Sequence, residues 1–275
     1  MDNNLLYKSF ASANSIVFCQ LSGHLLLDNM KMEKQRTGLS YNKIFKKFRN
    51  NGINGLYSGF LPWGALLGYG KGFIVGGVSY KLKNYFNNKN YNSSISSIYT
   101  GLGSGICEAI YMNPIMIARN KINLNQTKQI NNRSFLDEIK FSSRILKKNI
   151  KKEGITSLYN GCSLLIFRRS LDWSSRFLFI DLLNNYYKNL KNKELNFKES
   201  SFITMIGSAS TTPITTPIDR VLPILYTNGK NKAFMIIKNK IKTEGYKTFF
   251  SGLVFRSIST GYYTLFLFCI PKLLF

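Results

Sequence analysis

Four runs without any Lys, Arg, Asp or Glu constrain this 275-residue chain more than any other feature. These uncharged runs are residues 9–27, 90–107, 201–218 and 257–271. Each approaches the roughly 20 residues that a helix needs to cross about 30 Å of hydrocarbon. Two further segments, 60–80 and 155–180, are mostly apolar but contain a few charged residues. The pattern predicts an all-α membrane protein with six transmembrane helices in a single domain, 1–275.

The basic residues are concentrated in three long loops. The chain carries 38 Lys plus Arg against 13 Asp plus Glu, and residues 31–50, 119–153 and 220–247 hold 7, 10 and 7 of the bases. The short connections 81–89 and 185–200 hold 3 and 4. The long loops after spans one, three and five are therefore expected to share one side of the membrane. Both termini are then expected on the other side.

The first basic loop contains an amphipathic stretch, in which Tyr41, Ile44 and Phe45 alternate with lysines. Such a helix tends to lie on an anionic membrane surface, although a solvated basic loop is the alternative. Nucleic-acid binding is the weaker explanation of the charge, since no recognisable nucleic-acid module accompanies it.

The chain offers little that suggests a cofactor or catalysis. Its four cysteines lie inside apolar segments and are interpreted as packing residues, so neither a disulfide framework nor a metal site is expected. Its single histidine, His24, is not accompanied by a nucleophile and an orienting group at a recognisable spacing. The start of the chain lacks the features of a removable leader, so internal targeting is expected. We therefore expect no enzyme activity and no cofactor.

An internal repeat organises the chain. Residues 51–59, 153–161 and 244–252 each place an aromatic residue five positions after a glycine and a second glycine two positions later. The closing glycines, Gly59, Gly161 and Gly252, each precede an apolar span. The pattern predicts three repeats, at about 1–90, 91–195 and 196–275.

This glycine motif resembles that of the mitochondrial carrier family, in which it precedes each even-numbered helix. The family's second motif combines a proline, an acid and a base at the end of each odd-numbered helix, and it is found here in altered form. The corresponding triplets are Leu26, Asp28 and Lys31; Pro114, Met116 and Arg119; and Pro217, Asp219 and Leu222. The chain is thus identified as a divergent member. The resemblance implies three pseudo-threefold repeats around a central cavity, with helix kinks at Pro114 and Pro217 and short matrix-side amphipathic helices.

The resemblance also implies a matrix gate, in which the acid of one repeat pairs with the base of the next. The expected pairs are Asp28 with Arg119, Asp219 with Lys31, and Met116 with Leu222. The missing acid and the missing base are the two that would have met, so no charge is orphaned. Gln35 is expected to brace the gate. On the opposite side the family's acid–base positions retain only Asp181, so the outer gate is nearly absent.

Substrate contacts in the family lie on the even helices, about seven residues after the glycine. These positions are Leu66, Arg168 and Ser259. With Arg169 and Arg256 nearby, the resemblance implies an anion site at Arg168, Arg169 and Arg256, since guanidinium groups bind carboxylate or phosphate bidentately. The alternative is structural, with Arg168 or Arg169 paired to Asp172 or Glu108. The helix starts at Gly59, Gly161 and Gly252 are expected to hold cardiolipin, because free backbone amides there favour phosphate.

Two functions follow from the resemblance. The first is a secondary carrier (an antiporter) that exchanges a small anionic metabolite across the mitochondrial inner membrane by alternating access, with both termini on the intermembrane-space side. The second is an accessory or structural subunit of a larger inner-membrane assembly, such as a respiratory complex. The family favours the first, whereas Leu66, the missing proline at Leu26 and the nearly absent outer gate favour the second.

Overall fold

The computed structural model consists of helices and turns, without a strand in the part of the chain that it describes. It describes residues 3–30, 39–50, 64–125, 143–144, 147–148, 150–151, 154–159 and 161–271, with the backbone alone at 47–48, 118–125, 220 and 222–233. The helices are α1 (Asn3–Cys19), α2 (Tyr41–Asn50), α3 (Ala65–Asn88), α4 (Ser93–Asn125), α5 (Cys162–Lys191), α6 (Phe197–Ser210), α7 (Thr212–Glu244) and α8 (Leu253–Phe268). An all-α architecture was predicted, and the described residues agree with it.

The long helices close into a ring. Helix α1 packs on α3, α3 on α4, α4 on α5, α5 on α6, α6 on α8, and α8 back on α1. Helix α7 continues from α6 and contacts α5 and α8. The amphipathic α2 lies beside this ring, where Ile44 is fully buried and Tyr41 packs edge-on against Phe255. The ring gives the long helices a common interior, and that interior holds the candidate site.

The glycine motif has the same local geometry in its two described copies. Gly154 and Gly161 flank the 3-10 turn Ile155–Tyr159 with φ of 75° and 74°. Gly245 and Gly252 flank the turn Tyr246–Phe250 with φ of 72° and 84°. Left-handed φ is accessible to glycine because it has no Cβ. The motif therefore sets the turn before α5 and before α8, while its first copy, 51–59, lies outside the described residues.

The helices are interrupted at two described places. A π-helical turn, Gln20–His24, extends α1 as far as Met30 and contains Gly23 at a φ of 131°. Helices α6 and α7 meet at Thr211. Gly23 thus interrupts the first helix close to Leu26, where the family's proline is missing. Pro114 and Pro217 lie within α4 and α7, and the kinks expected there stay predictions.

Small and hydroxyl-bearing residues fill the contacts between helices. An added Cβ would lie 2.4 Å from the Cα of Ser174 at Gly101, and 2.5 Å from the Cα of Ser170 at Gly105. Many buried hydroxyls bond to a carbonyl of their own helix: Ser9 to Leu5 (2.8 Å), Thr204 to Ser200 (2.7 Å) and Thr216 to Thr212 (2.6 Å). Close approach through small residues is typical of helices packed in a membrane.

The outer surface of the ring carries large apolar side chains. Phe18, Phe167 and Phe202 are 63%, 59% and 58% exposed. Apolar exposure on this scale marks a surface that meets lipid or another protein. By length and composition, Asn4–Met30 is the one helix of the described part that could cross a membrane. The count of six spans stays a prediction.

Candidate functional site

A network of buried and partly buried charged side chains lies in the interior of the ring. Its carboxylates are Glu108, Asp172 and Asp219, and its cations are Lys71, Arg168, Arg169, Arg176 and Arg256. These residues come from α3, α4, α5, α7 and α8, so the network joins most of the ring.

Asp219 joins three helices at one carboxylate. It accepts hydrogen bonds from Arg168 of α5 and from Arg256 of α8, one on each oxygen. Arg256 is almost fully buried and also donates to Oγ1 of Thr215 at 2.8 Å. Two of the three arginines expected to bind substrate therefore meet the same carboxylate. Lys31, which the sequence pairs with Asp219, lies outside the described residues.

Asp172, in the middle of α5, contacts one arginine of its own helix and one of α8. Its Oδ2 accepts from Arg176 at 2.8 Å, and its Oδ1 lies 4.0 Å from Arg256. The Arg176 guanidinium lies 4.4 Å from the ring centroid of Trp173. Helical spacing suggested Arg168 as the partner of Asp172. In the structure Asp172 pairs instead with Arg176, which is also four residues away, because Arg168 is bonded to Asp219.

Glu108 is fully buried between two cations. Its Oε1 lies 3.3 Å from Arg169 and 3.5 Å from Lys71, and its other oxygen accepts from the indole of Trp173. Lys71 Nζ lies 4.0 Å from the ring centroid of Tyr263. For Arg169, the sequence left two roles open, substrate binding and a structural ion pair. The structure contains the ion pair, with Glu108.

The network has a surplus of positive charge. Five cations face three carboxylates, which leaves two positive charges in excess among these eight side chains. In addition, Nε of Arg169 and Nε of Arg176 are buried without a hydrogen-bond partner in the described part of the chain. Buried polar groups rarely lack partners. Spare guanidinium donors beside surplus positive charge are suited to an anionic ligand.

A cavity of about 460 Å³ lies at the end of the ring where α1, α4 and α6 begin and α3, α5 and α8 end. Its wall carries hydroxyl groups from Ser12, Ser79, Ser96, Ser97, Thr100, Ser200 and Thr204. Lys8 and Lys83 are its cations, and Asp181 is the acid among the described residues that line it. Its volume lies in the range of small-molecule sites.

Two aromatic rings lie between the cavity and the charge network. Phe177 and Phe268 line the cavity, and their ring centroids lie 5.5 Å and 6.1 Å from that of Trp173. Trp173 in turn donates to Glu108. A ligand in the cavity is thus separated from the buried arginines by aromatic side chains.

The residues expected to form the matrix gate are only partly described. Asp28 accepts a hydrogen bond from Ser259 Oγ at 3.0 Å, and Met116 is partly buried in α4. Lys31 and Gln35, and the side chains of Arg119 and Leu222, lie outside the described residues. The pairings of this gate stay predictions.

The remaining positions that the resemblance singled out are the substrate-contact positions Leu66 and Ser259, the motif glycines and the outer-gate acid. Leu66 is 48% exposed, whereas Ser259 is buried. Gly161 and Gly252 precede α5 and α8, and Gly59 lies outside the described residues. Of the outer-gate acids, Asp181 accepts from Ser93 and Ser94 of α4.

Sequence reasoning missed two contacts within the interior. The first is the indole bond from Trp173 to Glu108, for which the one available signal is that Glu108 is the sole acid between positions 90 and 125. The second is the contact of His24 with Ser259, which joins residues 235 positions apart and has no local signal.

Fold and site together define a class: a helical ring, apolar outside, with buried arginines in its interior. Residues 91–191 match the family described as mitochondrial carrier protein. The chain is 26% identical over 243 residues to the mitochondrial aspartate-glutamate transporter AGC1 of Saccharomyces cerevisiae, an alignment that covers 81% of this chain and 26% of that protein. It is also 26% identical over 175 residues to the mitochondrial citrate transporter C of Aspergillus niger, covering 58% and 53% of the two chains.

The resemblance that the glycine motifs suggested is confirmed by these matches. The chain is similar to mitochondrial carriers at low identity, which is consistent with a divergent member of that family. It spans about a quarter of the length of the first relative and about half of the second. Both relatives are transporters by name.

Proposed function

We propose that this chain is a secondary carrier that exchanges a small anionic metabolite across the mitochondrial inner membrane by alternating access. The observation that carries this proposal is the surplus of two positive charges in the buried network, together with the spare Nε donors of Arg169 and Arg176. An ion pair that served only to hold the helices together would not require excess cations. The two relatives, one named for aspartate and glutamate and one for citrate, support a carboxylate substrate.

The charge balance favours a substrate with two negative charges. Such an anion would neutralise the surplus, whereas a neutral or cationic substrate would leave uncompensated charge in the interior. Carboxylates also match the guanidinium groups geometrically, since two parallel N–H bonds can meet two oxygens. A small dicarboxylate is therefore the substrate class that we favour.

The exchange of partners at Asp219 offers a means of coupling binding to opening. A substrate carboxylate that binds Arg168 or Arg256 competes with Asp219 for the same donors. One charged acceptor then replaces another at that arginine while Asp219 keeps its second arginine, so the link between α5, α7 and α8 loosens. Only a ligand with different affinities for the two states can shift such an equilibrium.

The proposed orientation places the three basic loops in the matrix and both termini in the intermembrane space. The cavity at the start of α1, α4 and α6 then faces the intermembrane space. Six membrane spans are part of this proposal. The large apolar side chains exposed around the ring support it, because lipid is the environment in which they are favourable.

Cardiolipin is the lipid that we propose for the turns at Gly161 and Gly252. Both glycines immediately precede helices, α5 and α8, whose first backbone amides are suited to bind a phosphate. Gly59 is included by analogy with these two copies.

The direct test is exchange by the purified protein in liposomes. Vesicles loaded with one anion would be challenged with radiolabelled aspartate, glutamate, citrate, malate or phosphate, and we expect exchange of at least one dicarboxylate. Arg168→Gln should abolish it, while the matched control Lys191→Gln, on the exposed end of α5, should not. Absence of exchange with every anion would overturn the proposal, and comigration with a respiratory complex would then support the accessory-subunit hypothesis.

A further inference from the structure

Three aromatic side chains, Trp173, Phe177 and Phe268, contact one another between the cavity and the charge network. Trp173 and Phe177 lie one turn apart on α5, and Phe268 is the last residue of α8. The ring centroids of Phe177 and Phe268 are 5.2 Å apart, and that of Trp173 lies 5.5 Å and 6.1 Å from them. Helix α6 packs between α5 and α8 in the ring. This aromatic layer therefore joins, across the interior, two helices that are not neighbours.

The aromatic layer rests on a larger apolar cluster. Phe177 and Phe268 pack against buried side chains that include Trp173. The other members of the cluster come from three helices: Ile16 and Cys19 of α1, Val75 of α3, and Tyr263, Phe266 and Leu267 of α8. Helix α5 has α4 and α6 as its neighbours in the ring, so Trp173 reaches α1 and α3 through the interior. Apolar side chains thus occupy the interior at the level of Trp173.

Polar groups lie on both sides of this apolar level. On one side is the cavity, which Asp181 lines one turn beyond Phe177 on α5. On the other side Trp173 donates to Glu108, and the Arg176 guanidinium lies 4.4 Å from its ring centroid. An anion cannot enter an apolar region without losing favourable contacts with water. An anion in the cavity would therefore reach the buried arginines only after the rings had separated.

The ionic outer gate that the resemblance implies is not formed at Asp181. This residue is the one acid retained at the expected positions, and it lines the cavity. Within the described part of the chain its oxygens accept from Ser93, Ser94 and Asn185 rather than from a base. The interior is open beside Asp181 and closed one turn deeper, at Phe177. Closure on this side therefore depends on apolar contact, at a different level from the expected ion pairs.

We propose that Trp173, Phe177 and Phe268 form the outer gate of this protein, and that it opens when Phe177 and Phe268 separate. Trp173 is the fixed part, because it is fully buried and bonded to Glu108. Phe177 and Phe268 are the moving parts, because they are only partly buried and line the cavity. Hydrophobic constrictions close the pores of channels in a similar way. The barrier depends on this geometry alone, whereas its opening during exchange rests on the proposed transport function.

One guanidinium connects the gate to the charge network. Arg176 donates through Nη1 to Thr264 Oγ1 at 3.3 Å and through Nη2 to Asp172. Phe268 follows Thr264 by one turn on α8. An anion that takes the Nη1 donor of Arg176 would release Thr264, and with it the part of α8 that carries Phe268. Occupancy of the anion site and opening of the gate are then coupled through Arg176.

The first experiment measures the barrier without transport. The chain has two tryptophans, so Trp63→Phe leaves Trp173 as the single one. Iodide, a small water-soluble anion, should quench the emission of Trp173 only weakly in this protein in detergent. Adding Phe177→Ala and Phe268→Ala should raise the quenching constant about threefold or more, because the layer is then open to the cavity. Phe167→Ala removes a ring that is 59% exposed on α5, and this matched control should leave the constant unchanged.

Equal quenching constants in the double alanine variant and in the Phe167→Ala control would overturn the gate. Strong quenching of Trp173 before the rings are removed would also overturn it. If the double variant does not fold, Phe268→Ala alone tests the same barrier, because Phe268 is the terminal residue of its helix. An unchanged constant in that variant would likewise refute the proposal.

The second experiment asks whether the rings must separate during exchange. Phe177→Cys and Phe268→Cys are combined in a protein whose four native cysteines are replaced by serine. A short bis-methanethiosulfonate reagent then bridges the two thiols in liposomes. We expect anion exchange to fall about tenfold or more in the bridged protein and to recover when a reductant cleaves the bridge. Each single cysteine variant, treated with the same reagent, is the matched control and should keep its activity.

Exchange at an unchanged rate in the bridged protein would show that the gate does not need to open, which overturns the proposal. Absence of exchange from the wild type with every anion would overturn the transport function instead. The iodide experiment then still decides whether the three rings form the barrier. The two failures are thus distinguished by different readouts.

Discussion

The guanidinium of Arg256 on α8 donates to the carboxylate of Asp219 on α7, so this bond joins the two helices that come last in the chain. The same carboxylate also accepts from Arg168 of α5. A single carboxylate is thus the ion-pair partner of two cations from different helices. Its removal has consequences that a surface ion pair would not have.

Asp219→Asn should destabilise the protein strongly. The change leaves Arg168 without its carboxylate and leaves Arg256 only the 4.0 Å contact with Asp172. Breaking a buried ion pair from one side costs about 3–5 kcal/mol. We expect a much lower thermal unfolding midpoint in detergent. Asp181→Asn is the matched control, because its carboxylate accepts from hydroxyl groups rather than from arginines. Equal midpoints for the two variants would argue against the role given to Asp219.

Trp173→Phe should also destabilise, by a smaller amount. The phenyl ring keeps an aromatic face for Arg176 but cannot donate to the fully buried Glu108. The loss of one hydrogen bond to a buried charge is about 1.5–3 kcal/mol. Thermal unfolding of the purified variant measures this loss of stability. The control is Tyr262→Phe, which loses an exposed hydrogen bond to Ser22. A Trp173→Phe midpoint as high as that of the control would refute the contact.

Gly101→Ala should disturb the packing of α4 on α5. The added methyl would lie 2.4 Å from the Cα of Ser174, so the helices must separate. Overpacking of this kind costs about 1–3 kcal/mol. Gly103→Ala, on the same helix, meets only the terminal methyl of Leu82, which can rotate away. We expect the unfolding midpoint to fall in the first variant and to change little in the second.

Arg168→Lys should raise the KM for the exchanged anion while retaining the positive charge. Lysine cannot present the planar fork that binds a carboxylate through two bonds. The loss of about 1.5–3 kcal/mol per charged hydrogen bond corresponds to a roughly ten- to hundredfold change. Initial rates of exchange against anion concentration provide the measurement. An unchanged KM would indicate that Arg168 serves the ion pair with Asp219 alone.

Much of the helical architecture could be predicted from the sequence, because charge-free runs and glycine punctuation are local signals. The runs 90–107 and 257–271 fall largely in α4 and α8, and the glycines of the second and third motifs precede α5 and α8. The geometry of those turns depends on residues that are close together in the sequence. The sequence therefore carries that information directly.

The partners of the charged residues could be predicted only in part. Arg168 and Arg176 both lie four residues from Asp172, so helical spacing alone favours neither. The choice is made by Asp219, which is 51 positions from Arg168 and reaches it only after α5 and α7 have packed. His24 and Ser259 lie still further apart. Such pairings depend on the closed ring and have no signature in the chain.

The hydroxyls between the helices have a consequence for motion. Ser9, Thr204 and Thr216 satisfy their hydrogen bonds on their own helices, so a neighbouring helix can slide past them without breaking a bond between the two. Resistance to such sliding is then concentrated in the charged links, the glycine contacts and the hydroxyl bonds that do cross between helices, such as Ser170 to Leu102 and Ser174 to Ile98. A bundle built in this way can change its shape as a set of nearly rigid rods once the bonds that cross between its helices exchange partners.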